Sequence, residues 1–146
     1  MPSWSPDGTK IVFEENYHYV AIMNSDGTNH IELTNDINYC STYPKWSPDG
    51  TKIVFSKRYS GEDYCNLYTI DLDGNNIEKI TDFYFTSAPS WSPDGRKIVF
   101  DGMDFDRDDG IYIIGVDGKN LKKLTYYNTK GHWWTSGISW SSYLDK

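Results

Sequence analysis

Three carboxylates alternate in DGMDFDRDDG, residues 101–110, at Asp104, Asp106 and Asp108, as the first ligands of a calcium loop do. Counted from Asp104, such a loop places glycine sixth and a bidentate acid twelfth, whereas Asp109 and Gly115 stand there. The stretch is therefore expected to be a solvated hairpin, with no cofactor and with calcium as the alternative. Cys40 and Cys65 either form one disulfide or remain two free thiols. Without a nearby His pair they make a poor zinc set. Ser, His and Asp are all present, but no GxSxG elbow, HExxH pair or phosphate-cradling glycine loop occurs. No catalytic residue is assigned, and His18, His30 and His132 read as packing or surface residues.

Aromatic residues are the other source of chemistry, at 16% of the chain. Rings with polar tips favour protein interfaces and also stack on the apolar faces of sugars. The candidates for ligand contact are Tyr39, Tyr43, Tyr64, Tyr84, Phe85, Tyr126, His132, Trp133 and Trp134. Tyr59, Phe83 and Phe105 fall in the same stretches, with Asp36, Asp63, Asp82 and Asp104 between them. In GHWWT, residues 131–135, two adjacent indoles cannot easily share one core.

Composition excludes several partners. The 146 residues suit one domain over 1–146, and 38% apolar against 24% charged residues is a globular balance. A formal net charge of −7 with 14 scattered basic residues argues against nucleic acid, because phosphate binding needs clustered Lys and Arg. No stretch approaches the roughly 18 apolar residues of a membrane span. Met1 leads straight into PSWSPDG, with neither the basic start nor the apolar run of a signal peptide, which points to the cytoplasm or to a piece of a longer chain.

What positions the candidate residues is a repeat. WSPDGTKIVF fills residues 4–13 and 46–55, and returns at 91–100 with Arg96 in place of Thr. Each copy is followed by an apolar run (YVAIMN, NLYTID, GIYIIG), an Asp-Gly turn, and a segment closing on Thr34, Thr81 or Thr125. A fourth unit opens at GISWSSYLDK. In SPDG, Ser suits the first turn position, Pro presets φ at the second, and Gly8, Gly50 and Gly95 take the positive φ of a bulged hairpin. KIVF, apolar on consecutive positions, suits a strand buried on both faces. Each repeat thus predicts a four-stranded antiparallel sheet, at about 2–34, 43–81 and 88–125, with an extra strand at about 137–143.

A sheet apolar on both faces needs a neighbour on each side, which radial repetition supplies. The units WSPDG, KIVF, LYTID with DGNN, and the closing KIT resemble the repeats of the TolB-type β-propeller family, relatives of the WD-repeat propellers. The resemblance implies an all-β propeller with the strands of Trp4, Trp46, Trp91 and Trp140 innermost and the Thr-bearing strands outermost. It also implies a scaffold role, a periplasmic or cell-envelope location, and an Asp/Arg/Gly-rich hairpin where residues 101–110 lie.

Spacing divides the sheet ends. From Trp to the Phe of KIVF the distance is nine residues in every repeat, and from Gly27, Gly74 and Gly118 to the closing Thr it is seven. From Phe13, Phe55 and Phe100 to Val20, Leu67 and Ile111 it is seven, twelve and eleven. In an up-and-down sheet the constant connections share one end and the variable ones the other. Binding residues sit on variable loops held by a rigid frame. The repeated Trp and Gly residues are accordingly structural, and the aromatic variable end is expected to bind a protein or peptide. Carbohydrate recognition and an accessory role beside a prolyl-oligopeptidase-type peptidase are the alternatives. Three sheets do not close a ring. The open flanks predict either a homodimer forming six blades or blades missing from a longer chain, and in a closed pair the strands of Trp4 and Trp140 compete for one place.

Overall fold

A computed structural model describes residues 2–125 and 138–140 of the chain. The first sheet comprises β1 (Ser3–Trp4), β2 (Lys10–Glu15), β3 (Tyr19–Asn24) and β4 (Ile31–Glu32). The second comprises β5 (Tyr39–Trp46), β6 (Lys52–Tyr59), β7 (Cys65–Asp71) and β8 (Glu78–Lys79). The third comprises β9 (Phe85–Trp91), β10 (Lys97–Met103), β11 (Asp109–Gly115) and β12 (Lys122–Lys123). Strands adjacent in the chain are adjacent and antiparallel in each sheet. The described residues contain no helix. Of the strand expected at 137–143, only residues 138–140 are described.

Side-chain chemistry fixes the SPDG hairpin three times. The carbonyls of Ser5, Ser47 and Ser92 accept from Gly8, Gly50 and Gly95 N–H at 2.9 Å. Those glycines stand at φ +71°, +71° and +68°, which a side chain would strain. Each Ser hydroxyl donates to the Asp two residues on at 2.6 Å and accepts from the Lys N–H five residues on at 2.9 Å. The Ser5 hydroxyl, then the Thr9 N–H and hydroxyl, hold the Asp7 carboxyl down to about 2. Asp49 and Asp94 are lowered in the same way, by Ser47 and Ser92 first.

The KIVF strands of the second and third sheets are buried on both faces. Ile53, Val54 and Phe55 are wholly buried. Ile53 and Phe55, with Trp46 and Ile70, pack against Val12, Val20 and Leu33 of the first sheet. Val54 and Leu67 face the other way, against Trp91, Ile98 and Phe100 of the third. Full burial of a side chain such as Phe55 is worth about 1.5–3 kcal/mol, so these two inter-sheet cores hold the sheets together. In the first sheet Val12 is buried, but Ile11 and Phe13, the counterparts of Ile53 and Phe55, are half-exposed. They face a flank that no sheet of the described chain covers.

Two repeated hydrogen bonds complete the frame. Nε1 of Trp46 donates to the Ser3 carbonyl and that of Trp91 to the Lys45 carbonyl, each at 3.2 Å, and Trp140 reaches the Ser90 carbonyl at 3.1 Å. Each acceptor is the residue before the preceding repeat's Trp. Trp46 and Trp91 are buried, whereas Trp4, with no sheet ahead of it, is 59% exposed. The Thr34, Thr81 and Thr125 hydroxyls accept from Val20, Leu67 and Ile111 N–H at 2.9 Å, pinning each outer segment to its third strand.

Two of the Trp-bearing strands, β5 and β9, do not run in a regular ladder. Pairing of β5 with β6 slips between Thr42 and Lys45, and that of β9 with β10 between Val99 and Asp101. Tyr43 and Ala88, each three residues before its Trp, sit there at φ +55° and +47°. An extra residue in one strand of a pair produces such a bulge and bends the strand.

Candidate functional site

The connections that vary in length share one end of the sheets, and there the second sheet frames a cavity of about 650 Å³. Tyr39 from β5 and Tyr59 from β6 are paired directly across the ladder, their rings edge to face at 5.2 Å. Lys57 and Asn66, opposite one another on β6 and β7, add the polar part of the wall, and Tyr68 lies two residues further along β7. Tyr64 reaches in from the β6–β7 connection and Phe105 from the β10–β11 connection of the third sheet, their centroids 5.5 Å apart. Lys79 and Asp82 also line the cavity and pair with each other at 2.9 Å.

Charge within the cavity is unevenly satisfied. The Lys57 ammonium stands 3.9 Å over the Tyr39 ring and 5.6 Å from the Tyr68 ring. No carboxylate among the described residues lies within ion-pair distance of it. Burial pushes its pKa down, opposed by the field of Asp36. A cation over aromatic faces recovers part of its lost hydration. Glu62 lines the same cavity from the β6–β7 connection. The Asn66 amide oxygen is engaged: it accepts from Phe83 N–H at 2.8 Å and from the Thr81 hydroxyl at 3.2 Å.

The residues selected from sequence divide into four groups. Tyr39 and Tyr64 line the cavity, and Tyr84 meets Tyr64 edge to face at 5.6 Å with the Arg107 guanidinium 3.6 Å over its ring. Tyr43 belongs to the β5 bulge and Phe85 opens β9; neither lines the cavity. Tyr126, His132, Trp133 and Trp134 lie outside the described residues. Phe83, expected with the rim aromatics, is instead 3% exposed and packed edge-on against Phe100 and Tyr112 at 5.2 and 4.9 Å. The Asn66 bond to its backbone turns it into the core. Sequence reading missed Lys57, Asn66 and Tyr68, which carry no motif and signal only by alternating on one strand face.

The polar candidates do not converge on a reactive centre. Asp104 Oδ1 accepts from the N–H groups of Asp106 and Asp108 at 3.0 Å each, and Asp108 pairs with Lys123. Among the described residues no three His, Cys, Asp or Glu side chains are grouped to hold a metal. Cys40 and Cys65 are free thiols. Both pair with Arg58, one on each side of it, so a whole strand separates them. Two interstrand steps of about 4.8 Å exceed the Cα separation that a disulfide spans, so the bridge considered from sequence does not form. His18 Nδ1 stands 3.3 Å from the Tyr39 carbonyl and 3.7 Å from Cys40 Sγ, and neither His18 nor Cys40 lines the cavity.

Radially repeated four-stranded antiparallel sheets, locked Trp to backbone and carrying an aromatic cavity at the variable end, define a β-propeller module. The chain belongs to the TolB beta propeller domain family, whose model matches residues 1–141. Among solved structures it resembles a putative TolB from Agrobacterium tumefaciens, with 28% identity and TM-score 0.72 over 84% of this chain and 47% of that one. TolB from Acinetobacter baumannii matches at 22% identity and TM-score 0.69, over 86% of this chain and 32% of that one. An oligogalacturonate lyase from Vibrio parahaemolyticus matches at 20% identity and TM-score 0.69, over 89% and 37%. The chain thus spans about half the length of the first and about a third of the others. No curated protein matches it significantly. The last two likenesses speak for the fold alone, and the lyase shows that the fold also occurs in an enzyme.

Proposed function

We propose that the module is a non-catalytic scaffold that binds a protein or peptide through its variable end. The observation that carries this reading is the cavity of about 650 Å³ walled by Tyr39, Tyr59, Tyr64, Tyr68 and Phe105. Rigid rings with polar tips supply contact area at low entropic cost and favour such interfaces. The Lys79–Asp82 pair and the Asn66 amide add polar contacts to the ring-lined wall, which suits recognition of a peptide.

A peptide-display selection against the immobilised protein, run beside a glycan array, tests the reading. Enriched peptides that bind in solution and lose at least tenfold affinity with Tyr64→Ala support it. Binding to glycans alone, or no enrichment, overturns it. The flank of Trp4, Ile11 and Phe13 is the surface that further blades would cover, from a second copy or from a longer chain. Light scattering at several concentrations separates these, since a discrete dimer mass requires the former.

A further inference from the structure

The geometry points to Lys57 as the anchor for a single carboxylate on the bound peptide, an Asp or Glu side chain. This deepens the proposed function and rests on it.

A half-buried ammonium normally has an anion beside it, because burial strips hydration that an aromatic face returns only in part. Lys57 has two rings, Tyr39 at 3.9 Å and Tyr68 at 5.6 Å, and no carboxylate partner among the described residues. It lines the cavity, so its free side is open to a ligand. Of the other charges there, Lys79 already has Asp82 beside it at 2.9 Å. Glu62, on an exposed connection, and Asp36, whose field reaches Lys57, oppose a second negative charge. A single cation without an ion-pair partner favours a monoanion over a phosphate, which would need a cluster of cations. The five rings then receive the apolar remainder of the peptide, and Glu62 favours a basic or neutral residue next to the acid.

The test is display selection on the wild-type protein, followed by titration of enriched peptides and of their Glu→Gln or Asp→Asn counterparts. Wild-type selections are expected to enrich one acidic position, and amidating it should weaken binding at least tenfold. With Lys57→Met, which keeps the stem over the rings, the acidic and amidated peptides should bind within twofold of each other. A near-UV spectrum of Lys57→Met matching wild type accompanies the comparison, to show that the fold is kept. Peptides that bind without preferring an acid, or an acid preference that survives in Lys57→Met, overturn the assignment while leaving peptide recognition standing. If no peptide binds at all, the underlying functional reading falls and this one with it.

Discussion

The indole Nε1 of Trp91 donates to the carbonyl of Lys45, 46 residues earlier in the chain, at 3.2 Å. The same bond joins Trp46 to Ser3 and Trp140 to Ser90, so the repeat writes its own inter-sheet connection. Trp91→Phe keeps an aromatic ring but removes the donor and the pyrrole part of the indole, leaving a carbonyl at the interface without its partner and a small cavity beside it. A loss of about 1–3 kcal/mol is expected in urea unfolding. Trp4→Phe, at a 59% exposed position, should change stability by less than about 0.5 kcal/mol. Equal losses at the two sites would refute this division of labour.

Thr81 is the second repeated lock, its hydroxyl accepting from Leu67 N–H at 2.9 Å while 4% exposed. Thr81→Val conserves volume but strands the amide, at an expected cost of about 1–3 kcal/mol. Thr125→Val, at a half-buried position, should cost less. Hydrogen exchange at the Leu67 amide provides the local readout, and unchanged protection in Thr81→Val would contradict the assignment.

The turn aspartates predict the acid limb of the stability curve. Asp7, Asp49 and Asp94 have folded pKa values below their unfolded ones, to about 2 for Asp7. A group depressed on folding stabilises above its unfolded pKa and ceases to do so as pH falls through the folded value. Stability should therefore hold above pH ~4 and decline between about 4 and 2. Asp7→Asn should be less stable than wild type above that window and converge with it at the bottom. A gap that stayed constant with pH would point to packing instead of charge.

The two thiols should react at different rates. Cys40 is half-buried, whereas Cys65 is 5% exposed, donates to the Thr86 carbonyl at 3.4 Å, and is pushed by burial to about 11. At pH 8 a thiol with that pKa is about one part in a thousand thiolate. Ellman titration of the native protein should release roughly one equivalent quickly and the second only in denaturant. Cys40→Ser should abolish the fast phase, and two fast thiols in the wild type would contradict the burial.

The frame was legible because its determinants are local. Ser, Pro, Asp and Gly at consecutive positions specify the hairpin whatever surrounds them, and KIVF announces burial on both faces by its composition. What stayed hidden depends on which segments the sheets bring together. Nothing near Trp91 names the Lys45 carbonyl, and nothing near Tyr64 names Phe105, which comes from another sheet. Phe83 reads as a rim ring because it follows Thr81 in a variable stretch, and one amide side chain on β7, 17 residues earlier, decides otherwise. Tyr43 was legible as a residue of the variable stretch but not as a bulge, since an extra residue in a ladder shows only against the partner strand.

Asn66 looks both ways: it lines the cavity, and its carbonyl oxygen holds the segment that buries Phe83. The pocket is consequently adjustable at its rings but not at this amide. Exchanges at Tyr39, Tyr64 or Phe105 alter the wall without touching the bonds of Asn66, whereas an exchange at Asn66 reshapes the wall and loosens the hydrophobic interior in one stroke.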